Sequence, residues 1–256
     1  MEINNVTFAY IKEKSQINNI SAKVEKGKIT TIIGPNGSGK STFINIMSRN
    51  LNPLDGNILL DGKEIQTYSA REFARKLAVV HQQNEAPQDM TVEKLIAFGR
   101  VPHKRMFQSQ RVEDEEAIDW AITCTNLQSK RKMTLNQLSG GERQRVWIAM
   151  SLAQKTPSLF LDEPTTHLDM YHQMEILELI KRLNKEHGMT IVMVLHDLNQ
   201  AIRYSDHLIV LKDGQKMMEG EPAEIINSKS VRDIYGVKAD VKNDEESGLY
   251  IVPIGI

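Results

Sequence analysis

Residues 34–41 read Gly-Pro-Asn-Gly-Ser-Gly-Lys-Ser, and no other stretch restricts the fold of this chain so tightly. Ile29-Thr30-Thr31-Ile32-Ile33 precedes it, a β-branched run that reads as a buried strand. Lys40 to Asn50 follows, with Phe43, Ile44, Ile46 and Met47 at helical spacing. Between a strand and a helix, glycines let the backbone curl until its N–H groups point inward. The start of the helix adds partial positive charge. The product is a cradle for phosphate oxygens. In it Lys40 can reach β- and γ-phosphates and the Ser41 hydroxyl can ligate Mg²⁺. The expected occupant is a nucleoside triphosphate.

The rest of the chain must build a domain around that loop, and 256 residues suffice for one large core or two modest ones. A net charge of −1 gives no push towards nucleic acid or anionic lipid. Cys124 is the one cysteine, so no internal disulfide can form; at helical spacing from Ala117, Trp120 and Ala121 it reads as a buried filler. No apolar run is long enough to span a bilayer, and Met1 to Asn5 has no secretion-signal pattern. The expected compartment is the cytosol.

Strand and helix patterns alternate along most of the chain. Ile3 to Tyr10 alternates as a strand, Asn57 to Leu60 sits between Asp-Gly pairs as part of a hairpin, Ser69 to Lys76 reads as a short helix and Leu77 to Val80 as a buried strand. From Thr91 to about Gln154 almost everything reads as helix: Val92 to Arg100, Val112 to Thr125, Glu142 to Ala153. The charge runs here, Lys104-Arg105, Lys130 to Lys132 and Glu113 to Glu116, read as solvated faces, the last also suiting a helix start. Beyond Pro157 come a strand at Leu159 to Leu161, a long amphipathic helix from Met170 to His187, an apolar strand from Thr190 and a hairpin around Asp213-Gly214. A short helix, an acidic turn and a last strand at Tyr250 to Val252 finish the chain. The expected fold is α/β: a phosphate-loop, mostly parallel sheet with an antiparallel β subdomain and a helical insertion. The expected partition is a catalytic core of 1–84 and 157–256, with a helical subdomain of 85–156.

Two further clusters carry chemistry. The strand Leu159-Phe160-Leu161 ends in Asp162-Glu163, and carboxylates at the end of a parallel strand face the ligand crevice. Asp162 can hold Mg²⁺, and Glu163 can orient and deprotonate an attacking water. Leu138-Ser139-Gly140-Gly141-Glu142 contains a capping box, Ser139 with Glu142. The cap leaves the two glycines unexplained, since each costs roughly 1 kcal/mol in a helix. A bare backbone at a helix start lets an anion approach.

Together these segments resemble the nucleotide-binding subunit of an ABC transporter. Gly34, Pro35, Asn36, Gly37, Ser38, Gly39, Lys40, Ser41 and Thr42 match Walker A, Leu138 to Glu142 the family signature, and Leu159 to Glu163 Walker B with its catalytic glutamate. His196 matches the switch histidine, Gln82 the Q-loop glutamine, Tyr10 the aromatic that stacks on adenine, and Thr166 to Asp169 the D-loop. Gln82 is followed by Gln83; Gln82 is taken because it directly follows the strand and lies nine residues before Thr91. His81 stands where relatives often have proline, and His167 replaces a small residue in the D-loop. The resemblance implies ATP as substrate and Mg²⁺ held by Ser41, Gln82 and Asp162. It implies catalytic work by Glu163, His196 and Gln82. Ser139, Gly140, Gly141, Glu142 and Asp169 would act on the ATP of a second copy, in a homodimer.

Thr91 to His103, and Leu168 to Gln173 after the D-loop, resemble importers of iron–siderophore complexes, haem and cobalamin, as does the short tail. The resemblance implies an ATPase at the cytoplasmic face of the cell membrane, working with membrane permeases and, indirectly, an extracytoplasmic substrate-binding protein. A cleft near Gln82 and the insertion would receive a permease helix. Ferric siderophore is the first expectation for cargo, with haem or cobalamin as alternatives. The competing readings are a soluble ABC-type ATPase outside transport and a nucleotide-gated binding module without catalysis.

Overall fold

A computed structural model describes residues 1–11, 14–104 and 112–256. They form two compact units, residues 1–67 with 192–256, and residues 68–191. The partition expected from composition, at 85 and 156, follows the helical stretch instead.

The first unit opens with β1 (Glu2–Ile11) and β2 (Lys14–Lys23), then β3 (Ile29–Ile33), α1 (Lys40–Met47), β4 (Asp55–Leu60) and the short β5 (Lys63–Glu64). β2, β1, β4 and β5 lie side by side as an antiparallel sheet. β2 is absent from the sequence expectation because its alternation is broken. Asn19 sits at φ 51 and Asn5, on β1, at φ 50, and the β1–β2 register shifts repeatedly. Each bulge flips the side chains that follow it to the other face. Ile17 and Ile20 are buried despite their odd spacing.

The second unit holds α2 (Ala70–Ala74), β6 (Leu77–Val80), α3 (Val92–Ala97), α4 (Val112–Cys124), α5 (Gly140–Ala153), β7 (Ser158–Leu161) and α6 (Met170–His187). β8 (Thr190–Val194) runs across the boundary between the units. β6 and β7 pair in parallel, Leu77 with Ser158 through Val80 with Leu161. α6 buries Ile176, Leu177, Ile180 and Leu183, the stripe expected of an amphipathic helix.

The chain returns to the first unit with α7 (Leu198–Tyr204), β9 (His207–Lys212), β10 (Gln215–Gly220), α8 (Pro222–Ile225), α9 (Ser228–Tyr235), β11 (Lys238–Asp244) and β12 (Gly248–Gly255). β9 pairs in parallel with β3, Thr30 with His207 through Ile33 with Val210, and antiparallel with β10. β11 and β12 form a separate hairpin, of which only the middle of β12, Tyr250 to Val252, is evident in the sequence. The two Asn199 amide bonds to the Ile251 backbone (3.2 and 2.7 Å) hold that hairpin to α7. The fold is α/β, with parallel strands, an antiparallel sheet and a helical stretch, as the sequence indicates.

The charge runs correct one expectation. Arg105 lies outside the described residues, but the acidic run does not simply face water. Asp114, in the first turn of α4, is buried against Arg100, with Nε to Oδ1 at 2.7 Å and both side chains under a tenth exposed. Arg100 also donates to the Ala153 carbonyl at the end of α5 (2.8 Å). Arg131 likewise bonds both Glu93 (2.6 Å) and Asp119 (2.5 Å). Cys124 is half-buried, not a core filler; burial raises its thiol above the usual range.

The buried pair sets a measurable effect. Arg100→Ala leaves the Asp114 carboxylate buried without its cation, a loss of about 3–5 kcal/mol. Thermal unfolding should shift down by about 10 °C. Replacing both partners together, Arg100→Met with Asp114→Leu, should recover most of that loss. A single variant that melts with the parent would show that the pair contributes nothing.

Candidate nucleotide site

The residues singled out in the sequence fall into two groups, one in each unit. In the first unit the phosphate loop leaves β3 at Ile33. Gly34 is buried at φ 151, and a Cβ there would lie 2.0 Å from the Leu211 carbonyl oxygen. That closeness follows from the register: Ile33 pairs with Val210, so the next residue meets the next carbonyl. Only glycine fits. At the other end of the loop Gly39, at φ 97, caps α1, and its carbonyl accepts from Phe43 N–H at 2.8 Å. Lys40 is buried and folds its ammonium back on its own loop, donating to the carbonyls of Gly34 (3.0 Å) and Pro35 (2.9 Å). Ser38 Oγ is buried with no hydrogen-bond partner among the described residues. A buried hydroxyl without a partner is costly, and a phosphate oxygen in the loop is a partner of the right kind. Asn36 and Gly37 at the tip are exposed, and Pro35, Ser41 and Thr42 half-buried.

Tyr10 projects from the end of β1, 61% exposed, its ring edge-on to Phe8 with centroids 4.9 Å apart. An open aromatic face of this kind can stack on a base. His196 follows β8 and is exposed. The next residue, Asp197, caps α7 by accepting from Gln200 N–H at 2.8 Å. Tyr235, at the end of α9, lies close to Gly34 of the loop, and no local pattern marks it. Burial drives that phenol well above its usual range, with the Gly34 backbone opposing.

The second unit holds the carboxylates, Gln82, the signature residues and Asp169. β6 and β7 end together, Val80 opposite Leu161, and Asp162 N–H continues the ladder to the Val80 carbonyl (2.9 Å). Asp162 is buried. The chain then places Gln82 and Glu163 beside each other: Gln82 Nε2 donates to Glu163 Oε2 at 2.6 Å, and Thr166 Oγ1 donates to the same oxygen at 3.1 Å. Of the two adjacent glutamines, Gln82 is the one that reaches the carboxylate. Glu163 holds φ 53, a conformation that costs an ordinary residue of order 1–3 kcal/mol and persists where surrounding structure imposes it.

Ser139 caps α5 as the capping box requires. Its Oγ accepts from Glu142 N–H (3.2 Å), and Glu142 Oε2 accepts from Ser139 N–H (2.9 Å). The Ser139 backbone bond, helped by Lys130 at 3.3 Å, holds the Glu142 carboxyl below its usual range. Gly140 is exposed, and a Cβ there would meet only Leu168 Cδ2 at 3.6 Å. Gly141 is different: a Cβ would lie 2.3 Å from His172 Cδ2. The two glycines, given one explanation in the sequence, have two. Asp169 caps α6, accepting from His172 N–H (3.0 Å) and His172 Nδ1 (2.8 Å). These bonds, the backbone one foremost, hold its carboxyl below the usual range.

No group of three or more His, Cys, Asp or Glu that could hold a metal occurs among the described residues. Ser41 in the first unit, and Asp162 and Gln82 in the second, each carry an oxygen donor, the ligand type that a hard cation such as Mg²⁺ takes. No described helix is long and apolar enough to cross a membrane.

The profile of the family described as ABC transporter matches residues 17–166. The petrobactin import ATP-binding protein FpuC of Bacillus anthracis is 46% identical over 250 residues, 98% of this chain and 92% of that protein. The ferric enterobactin transport ATP-binding protein FepC of Escherichia coli is 44% identical over 238 residues, 93% of this chain and 88% of that protein. Among solved structures, a metal-chelate type ABC transporter in an inward-facing conformation aligns with a TM-score of 0.85 at 25% identity, covering 99% of this chain and 96% of that one. A dimeric ATP-binding cassette in a post-hydrolysis state, bound to ADP and phosphate, aligns with a TM-score of 0.73 at 30% identity, covering 86% and 98%.

Proposed function

This chain belongs to the ABC transporter family, and from that premise we propose that it is the ATP-hydrolysing subunit of an importer for ferric siderophores. One observation carries the reading. A single chain holds both a complete phosphate loop and a capped, glycine-opened helix start, the two halves of a nucleotide site that two copies would complete. The cargo is inferred from the relatives, which are named for petrobactin and ferric enterobactin.

Two copies bind two ATP molecules between them. In each site the phosphate loop of one copy meets Ser139, Gly140, Gly141, Glu142 and Asp169 of the other. Tyr10 stacks on the base. The backbone N–H groups from Gly37 to Thr42 and the Ser38 hydroxyl take phosphate oxygens, and Lys40 turns from its loop carbonyls to the β- and γ-phosphates. Ser41, Asp162 and Gln82 would hold Mg²⁺, whose charge offsets that developing on the phosphates. Glu163 accepts the proton of the attacking water, Gln82 positions that carboxylate, and His196 contacts the γ-phosphate. The ATP-bound dimer is the closed state, and hydrolysis reopens it. The helical stretch 85–156 forms the subdomain beside Gln82 against which a permease helix docks. The chain thus sits peripherally at the cytoplasmic face of the membrane, and an extracytoplasmic binding protein delivers cargo.

Uptake of labelled cargo tests this. Cells lacking the chain, offered ferric siderophores, haem and cobalamin, should lose uptake of at least one ferric siderophore and regain it with the parent gene. Loss confined to haem or cobalamin would reassign the cargo. Undiminished uptake of every compound, with no membrane protein co-purifying, would favour a soluble ATPase outside transport.

A further inference from the structure

We propose that His172 is a positioning residue that locks Asp169 to the start of α5, so that the two reach the second copy's ATP as one rigid unit. The inference rests on the shared site proposed above and adds a residue to it. Its ground is one imidazole with two contacts. The ring lies against the bare backbone of Gly141, where a Cβ would be 2.3 Å from Cδ2, 2.8 Å from Cγ and 3.0 Å from Cβ. On its other side Nδ1 is 2.8 Å from Asp169 Oδ1. An ionised carboxylate can only accept, so Nδ1 carries the proton. The same oxygen takes the His172 backbone N–H at 3.0 Å, so backbone and ring hold one carboxylate oxygen together.

The surrounding contacts point the same way. The Tyr171 ring stands edge-on to the imidazole, centroids 5.4 Å apart. Leu168 Cδ2 lies 3.6 Å from where a Cβ at Gly140 would stand, and Gln173 Nε2 holds the Leu168 carbonyl at 3.0 Å. His172 is half-buried whereas Asp169 is mostly exposed, so the histidine faces its own fold while the carboxylate faces outward. Gly141 is therefore glycine to admit this ring, and Gly140 is the position left open.

The test separates ring bulk from the Nδ1 bond. Asparagine places an amide N–H near Nδ1, whereas glutamine fills the volume but its amide falls near Nε2. With the purified full-length chain, His172→Gln should lower kcat for ATP hydrolysis about tenfold or more, since a displacement of about 1 Å can cost up to ~100-fold. Its affinity for ATP as a monomer and its melting temperature should stay at parent values. His172→Asn should recover most of the rate. Gly141→Ala should be slow alone, and slower in the parent than expected from its effect in a His172→Ala background, where the methyl group has room. A kcat for His172→Gln within about twofold of parent, or His172→Asn as slow as His172→Gln, would overturn the positioning role. Gly140→Asp distinguishes the premise: if it leaves ATP hydrolysis intact, the shared site fails and this inference with it; if it abolishes hydrolysis while His172→Gln does not slow it, only the positioning role fails.

Discussion

Glu163→Gln should bind ATP as the parent does and hydrolyse it at least about a hundredfold more slowly, because a positioned general base contributes roughly 10²–10⁴. The substitution is nearly isosteric, and the local geometry predicts that it leaves the site standing. Glu163 Oε2 accepts from Gln82 Nε2 and from Thr166 Oγ1, and the glutamine carbonyl oxygen can accept both. The backbone there holds φ 53, which glutamine adopts at the same cost as glutamate because the two side chains share one shape. What the amide loses is basicity. Single-turnover hydrolysis, ATP binding and size-exclusion chromatography with ATP together read the outcome: slow chemistry, intact binding and an accumulated dimer. Turnover near that of the parent would remove Glu163 from its role.

Gly140→Asp should abolish ATP hydrolysis, by about a hundredfold or more, without weakening ATP binding by the single chain. Within its own fold the change is benign. The site has open space around the new Cβ, with only Leu168 in ordinary contact, and a carboxylate in the first turn of α5 is favoured by the helix dipole. The loss would come from the second copy, whose phosphates would meet a fixed negative charge instead of a bare helix start. Equal loss of binding and hydrolysis would argue against a site completed by two chains. The neighbouring Gly141→Asp is not an equivalent probe, since its side chain would collide with His172 before any nucleotide arrived.

These contrasts show where the sequence could and could not be read. Adjacent glycines at 140 and 141 look interchangeable in a linear pattern, yet one is open and the other is filled by a ring thirty-one residues on. Asp114 belongs to an acidic run, and nothing in the run marks it as the member that turns inward to Arg100. β2 went unseen because bulges at Asn5 and Asn19 destroy the period-two signal on which strand reading depends.

The sequence by itself determined the phosphate loop, the capping box at Ser139 and Glu142, the strand ending in Asp162-Glu163 and the α/β class. Each of these is encoded within a few consecutive residues: positive φ at glycine, a side chain that reaches its own helix end, an apolar run bounded by charge. Only the tertiary structure decided that Gln82 meets Glu163, that Gly34 packs on the Leu211 carbonyl and that His172 joins Asp169 to Gly141. Those contacts depend on strand register and helix packing between distant segments. Register and packing are set by burial of the whole core, and no local window contains that information.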